Sequence, residues 1–375
     1  MIDQKLLFDQ LHNMGLNFFT GVPDSLLNDF CLHLVNNVSD SQHIMAANEG
    51  NAIGIAAGYH MATGEVPVVY MQNSGIGNAT NPLLSLIHPD VYSMPLILVI
   101  GWRGDPAIKD HAQHKKQGEL TPVLMKDMDI PCAILDSDET VVEKFAWAVK
   151  TAKETSAPVA LIAKKAILTQ KEKKQEYADS NLMNREEAIS AVLDVLGDKV
   201  VYLATTGRAT RELHEQIKQH GFSHEIEFLN VGAMGHLSSI GFGLALGAPK
   251  KKIVVFDGDA AAIMHMGSFA TNGRYQPNNL IHIVLNNGVN ESVGGQKSSG
   301  QIVDLTSIAK GCRYATTEKY IESKEDLQQT VKEMIEGNRL SFIDVHVRQG
   351  IRKDMPGLRI DHLSAKEVFM SYLKK

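Results

Sequence analysis

Apolar runs rich in Val, Ile and Leu recur along this chain, with Gly, Asn and Asp clustered where each run ends. Residues 68–71, 96–100, 200–204, 253–256 and, apart from His282, 281–285 are apolar throughout rather than alternating. That pattern predicts strands of a parallel sheet covered on both faces. Helix-length segments rich in small residues, 50–63 and 236–246, precede two of these runs. Alternation of the two element types predicts an α/β fold built on mostly parallel sheets with helices on both faces.

The pattern occurs twice. An offset of 185 places Gly50 on Gly235, Gly58 on Gly243, strand 68–71 on 253–256 and strand 96–100 on 281–285. Two strands, a glycine-bearing helix and equal spacings together predict a duplicated module. Residues 169–184 are charged and lack periodicity, which reads as a linker. The expected plan is a first domain over 1–168, the linker, and a second domain over 185–375.

Composition narrows the partners. With 375 residues, 44% hydrophobic, 21% charged and a formal net charge of −6, the chain has a soluble globular profile. An acidic balance argues against nucleic acid or an anionic membrane as a partner. No apolar run reaches the roughly 18 residues of a membrane span. The N-terminal stretch reads as an amphipathic helix with acidic residues rather than a signal peptide, so the cytoplasm is expected. Cys31, Cys132 and Cys312 are odd in number and far apart, and are expected to be buried thiols.

Strand 253–256 delivers Asp257-Gly258-Asp259, and strand 281–285 ends in Asn286-Asn287-Gly288. Parallel strands joined by a helix bring both ends to one edge of a sheet, where open α/β sheets bind ligands. A carboxylate, an amide oxygen and backbone carbonyls there form an oxygen donor set suited to a hard cation such as Mg²⁺. This resembles the thiamin diphosphate motif, GDG followed by NN, with Ala260 in place of the last glycine. The resemblance implies two similar domains, one for the cofactor's pyrimidine and one for its diphosphate. It makes Asp259, Asn287 and the Val289 carbonyl the metal ligands. Ala260 and Ala261 follow in the motif, and a methyl at 260 is strained if the backbone there has positive φ.

Glu49 stands where strand 43–47 hands over to a helix. Unaided, it also reads as a glutamate at a helix start; the resemblance makes it the catalytic carboxyl that hydrogen-bonds the aminopyrimidine. Thr206 and Gly207, after strand 200–204, are expected to hold diphosphate. Gly232 and Met234 match the segment that props the cofactor, although Met234 alone reads as core.

Residues 21–27 (GVPDSLL), 101–104 (GWRG), 232–236 (GAMGH) and 292–296 (SVGGQ) are similar to phosphonopyruvate decarboxylase, with sulfopyruvate decarboxylase as a close relative. That family implies loss of CO₂ from a small anionic 2-oxo acid, phosphonoacetaldehyde as product, and a role in phosphonate biosynthesis. It also implies a homo-oligomer, at least a dimer, with active sites between subunits. Arg103, followed by Lys109, His111, His114, Lys115 and Lys116 in what reads as one basic loop, suits an anionic substrate group. His114 and Asp24 are candidate catalytic residues beside Glu49; Asp24 also reads as a cap on a helix beginning at Ser25. Ser25, Asn73, Gln113 and Gln117 are expected at the substrate, and Glu291 is a candidate second acid. Residues 288–301 are expected to close over the site. Alternatives are sulfopyruvate as substrate, a carboligase, and a cofactor-binding regulatory protein without turnover. A dinucleotide oxidoreductase is disfavoured because no GxGxxG follows a strand.

Overall fold

A computed structural model describes residues 3–168 and 180–375. Among these residues two compact units emerge, one reaching residue 168 and including 293–296, the other of 180–292 with 297–375. Most of the expected linker, 169–179, lies outside the described residues. Its last residue, Asn184, instead caps the helix Arg185–Leu196 in a reciprocal capping box with Glu187.

The first unit contains β1 (Phe19–Gly21), β2 (His43–Met45), β3 (Val68–Gln72), β4 (Leu96–Gly101), β5 (Cys132–Leu135) and β6 (Pro158–Ala163). They form one sheet in the order β2-β1-β3-β4-β6-β5, every neighbouring pair parallel. Val68, Tyr70, Ile97 and Val99 pack into one core layer, while Val69, Met71, Leu96 and Leu98 pack into the other. Both faces are thus covered, which is why these strands read as unbroken apolar runs. The edge strand β5 exposes Cys132; Cys31 is buried and Cys312 half-buried, so the expectation of three buried thiols fails at the sheet edge.

The second unit contains β7 (Val201–Ala204), β8 (Glu227–Leu229), β9 (Ile253–Gly258), β10 (Leu280–Asn286), β11 (Val289–Asn290), β13 (Ala315–Thr316) and β14 (Ser341–His346), while the two-residue β12 (Gln296–Lys297) falls on the boundary at residue 296. Its main sheet runs β13-β14-β10-β9-β7-β8, again parallel throughout. Taken from the other edge, this is the same connectivity as the first sheet. The duplication visible over two strands therefore extends to the whole module. Val254, Phe256, Ile281 and Ile283 face one core layer, and Ile253, Val255, Leu280 and Val284 the other.

In each sheet the first and third strands lie side by side while the second sits outside the first. That reversal opens a crevice at the carboxyl ends of β1 and β3, and of β7 and β9. Among the described residues no helix is long and apolar enough to cross a membrane.

Candidate active site

In the first unit, the carboxyl edge of the sheet collects four loops. Glu49 opens the helix Glu49–Thr63 one turn after β2, with Asn48 as its cap. Its carboxyl is buried: Oε2 accepts a hydrogen bond from Nδ2 of Asn78 at 2.7 Å, and Oε1 lies against Gly75. A Cβ on Gly75 would collide with Oε1, so only glycine at the end of the β3 loop admits this carboxyl. Asn78 is a site residue that motif reading passes over, because its role appears only when two helices pack.

Asp24 follows β1. The helix after it begins at Asn28 rather than at Ser25, so Asp24 does not cap it. Its Oδ2 accepts from the Leu26 amide at 3.2 Å, while Oδ1 is buried without a hydrogen-bond partner. Burial pushes the carboxyl up to about 6, against the smaller opposing effects of the Leu26 amide and the Arg103 charge. An acid so placed exchanges its proton near neutrality, as acid–base chemistry requires.

Arg103, just past β4, is not a free cation. It makes a bidentate pair with Asp110 (Nε–Oδ2 2.8 Å, Nη2–Oδ1 2.7 Å), and Nη1 donates to Ser25 Oγ at 3.0 Å. His114 Nδ1 stands 3.2 Å from the same Asp110. Burial tends to raise the Asp110 carboxyl, but hydrogen bonds from Arg103, the His111 amide, His114 and the Gly104 amide together hold it well below the usual carboxylate range. Burial lowers His114, partly countered by Asp110. Asp110 is the principal residue missed from sequence; an acid four residues before His114 within a basic run was the available signal.

Two expectations need correction here. The run 109–116 is not one loop: the helix Ala112–Asp127 starts inside it, and Lys115 and Lys116 point into solvent. Asn73 has its amide engaged with structure, donating to the Arg103 carbonyl (2.8 Å) and Thr121 Oγ1 (2.9 Å) and accepting from the Arg103 amide (3.2 Å). It joins the β3 and β4 loops and has little capacity left for substrate. Gln113 and Gln117 lie one helical turn apart, Gln113 half-buried and Gln117 exposed.

The second unit presents a matching edge. The register sets Gly258 beside Leu285, so Asp259 and Asn287 leave the ends of adjacent strands. Asp259 is buried, accepts from Ser298 Oγ, and has no basic partner among the described residues. Burial pushes its carboxyl up to about 6, opposed by Ser298 and nearby amides and reinforced by the Asp344 charge. A buried carboxylate lacking a counter-charge, at the end of the strand next to the one that leads to Asn287 and Val289, fits an oxygen-ligated divalent cation; the Asn287 amide oxygen accepts from the Val289 amide at 3.2 Å. Ala260 and Ala261 lie in the helix Asp259–Met264, and Ala260 is not among the residues with positive φ. The feared strain is absent.

Thr206 and Gly207 precede the helix Arg208–Gln219, whose first turn has no side-chain cap. Its free N–H groups, beside the buried and unpartnered Thr205 hydroxyl, fit a diphosphate. Met234 belongs to neither core layer of its unit. It is half-buried on a turn between Ala233 (φ +48°) and Gly235 (φ +83°), two residues beyond Gly232. A left-handed alanine is uncommon, and such strain concentrates at ligand sites. Met234 is also the residue that the 185 offset aligns with Glu49.

Glu291 cannot serve as a second acid. It is paired with Arg185 and with Arg208 (2.8 Å), and accepts from Asn287 Nδ2 (3.1 Å) and the Gly350 amide. Two cations claim its carboxylate, which makes it an anchor for Asn287.

Residues 4–125 match the thiamine pyrophosphate enzyme N-terminal TPP-binding domain, and 205–345 the corresponding C-terminal domain. A phosphonopyruvate decarboxylase of Streptomyces viridochromogenes is 29% identical, covering 93% of this chain and 89% of its own. One from Streptomyces hygroscopicus is 30% identical over 84% of this chain and 80% of its own. A sulfopyruvate decarboxylase of Methanosarcina acetivorans is 28% identical over 82% of each.

Proposed function

The chain belongs to the thiamine pyrophosphate enzymes as a thiamin diphosphate-dependent 2-oxo acid decarboxylase, and from that premise we propose that it acts in the cytoplasm on 3-phosphonopyruvate, releasing CO₂ and phosphonoacetaldehyde for phosphonate biosynthesis. The observation that carries the choice of substrate is the Arg103–Ser25–His114 corner at the end of β4. Nη1 of Arg103 has a second hydrogen to offer an acidic oxygen, and the neighbouring imidazole gains a proton more readily beside a dianion. Because Asp110 already neutralises Arg103, a weakly charged substrate gains little there, whereas a dianion competes for the guanidinium.

Bound thiamin diphosphate supplies a nucleophilic thiazolium carbon and an electron sink for the departing CO₂. Glu49, with Oε2 fixed by Asn78, keeps Oε1 for the aminopyrimidine. Thr206, Gly207 and the first turn of the helix Arg208–Gln219 would hold the diphosphate, and Met234 would pack against the cofactor. We assign Mg²⁺ to Asp259, the Asn287 amide oxygen and the Val289 carbonyl. Asp24 delivers or takes up the proton at its unpartnered Oδ1.

The family resemblance supports a homodimer at least, in which the pyrimidine side of one subunit is completed by the diphosphate side of another. A fully active monomer in analytical ultracentrifugation would contradict it. Sulfopyruvate remains the second reading, favoured by the likeness to its decarboxylase along most of the chain. With thiamin diphosphate and Mg²⁺ supplied, a reductase-coupled aldehyde assay separates the two. We expect kcat/KM for phosphonopyruvate to exceed that for sulfopyruvate, and the reverse order would reassign the enzyme.

A further inference from the structure

At the outer edge of the second sheet sits a cluster for which decarboxylation has no use. His214 lies on the helix Arg208–Gln219, His224 in the short turn His224–Ile226, and Glu227 opens β8. Nδ1 of each histidine stands 2.7 Å from one and the same oxygen, Oε1 of Glu227. One ligand atom from each of the three residues lies within 4.8 Å of the others. The Glu227 side chain is only 4% exposed, yet its other oxygen, Oε2, is buried with no hydrogen-bond partner. A nearly buried carboxylate is therefore aimed at two imidazoles and left half-satisfied.

We propose that His214, His224 and Glu227 bind a divalent transition-metal ion of the zinc type. Two imidazole nitrogens and one carboxylate oxygen form a borderline-soft donor set that favours Zn²⁺, Co²⁺ or Ni²⁺ over Mg²⁺. It is thus chemically distinct from the all-oxygen set around Asp259. One ion replaces the two N–H hydrogens that crowd Oε1. With metal–ligand bonds of about 2.0–2.2 Å, tetrahedral geometry puts the donors about 3.3 Å apart. The present N···O separations of 2.7 Å have only to open slightly.

The rings stack with centroids 4.2 Å apart and planes 27° from parallel. Bringing both lone pairs to one point requires one ring to tip. The side chain of His224 is 44% exposed and that of His214 25%, so His224 has the room, and solvent can fill the remaining coordination positions. An ion here clips the helix that begins at the diphosphate turn to the strand that leads into the Met234 turn.

The test uses the full-length protein with thiamin diphosphate and excess Mg²⁺ present, titrated calorimetrically with Zn²⁺ and, by visible absorption, with Co²⁺. The expected result is one Zn²⁺ per chain, undisturbed by Mg²⁺, and a Co²⁺ spectrum of low coordination number. His224→Ala and His214→Asn should each weaken binding by more than the roughly 10–100-fold that loss of an outer-sphere partner costs. His224 is exposed enough that its replacement leaves the fold intact, which circular dichroism verifies. Absence of saturable Zn²⁺ binding, or full affinity retained in either variant (as when the exposed Cys132 thiol is the ligand), overturns the proposal.

Discussion

Replacing Asp24 by asparagine isolates the electrostatic cost of the buried carboxyl after β1. Its folded pKa lies at about 6, against an ordinary value of 3.8, mainly because burial penalises the ion. The unfolded chain therefore binds fewer protons than the native one between these values, and stability falls as pH rises through that window. The contribution is fully present below 3.8 and lost above about 6. At 1.36 kcal/mol per pH unit, the gap amounts to about 3 kcal/mol at pH 8. An amide does not titrate, so the stability of Asp24→Asn relative to the parent should improve by about 2.5 kcal/mol between pH 4 and pH 8, roughly the first half kcal/mol being lost already below pH 4. Urea unfolding of both proteins across that range measures this difference independently of any constant offset from the new amide. A flat difference would refute the idea that Asp24 is held as a proton-exchanging acid. Turnover should move the opposite way, falling roughly 10²–10⁴-fold as a proton carrier is lost.

Glu49→Ala should abolish decarboxylation while leaving the circular dichroism spectrum unchanged; measurable turnover would remove Glu49 from its role. Gly75→Ala, whose new methyl would collide with Oε1 of Glu49, should lower thiamin diphosphate affinity and cost about 1–3 kcal/mol of stability through overpacking. Ala260→Gly should leave the calorimetric affinity for thiamin diphosphate intact and lower stability by about 0.5–1 kcal/mol, since Ala260 is helical. Glu291→Gln removes the carboxylate shared by Arg185 and Arg208 while Arg185 keeps its two hydrogen bonds to Glu212, so urea unfolding should register a loss of about 1–3 kcal/mol, while the pH profile of kcat keeps its shape.

Much of this protein was legible before folding. A sheet covered on both faces writes itself into the chain as uninterrupted apolar runs, and the 185 offset exposed the duplication. The placement of Glu49, Asp259 and Asn287 just beyond strand ends was legible, because those ends are marked by abrupt switches from apolar to polar residues. What tertiary structure alone decided was the electrical state of those residues and their neighbours. Arg103 read as a free cation until Asp110 folded onto it. Asn73 and Glu291 read as chemical groups until Thr121 and two arginines claimed them. Met234 taken alone read as core until it lay outside both layers, and whether Ala260 was strained hung on a backbone angle that its helix settled. The physical reason is the same throughout. Periodicity records which face of an element meets the core, a property local to a few residues. Hydrogen bonds and ion pairs depend on which loops of distant sequence converge, and that is fixed only when the strands have taken their order in the sheet.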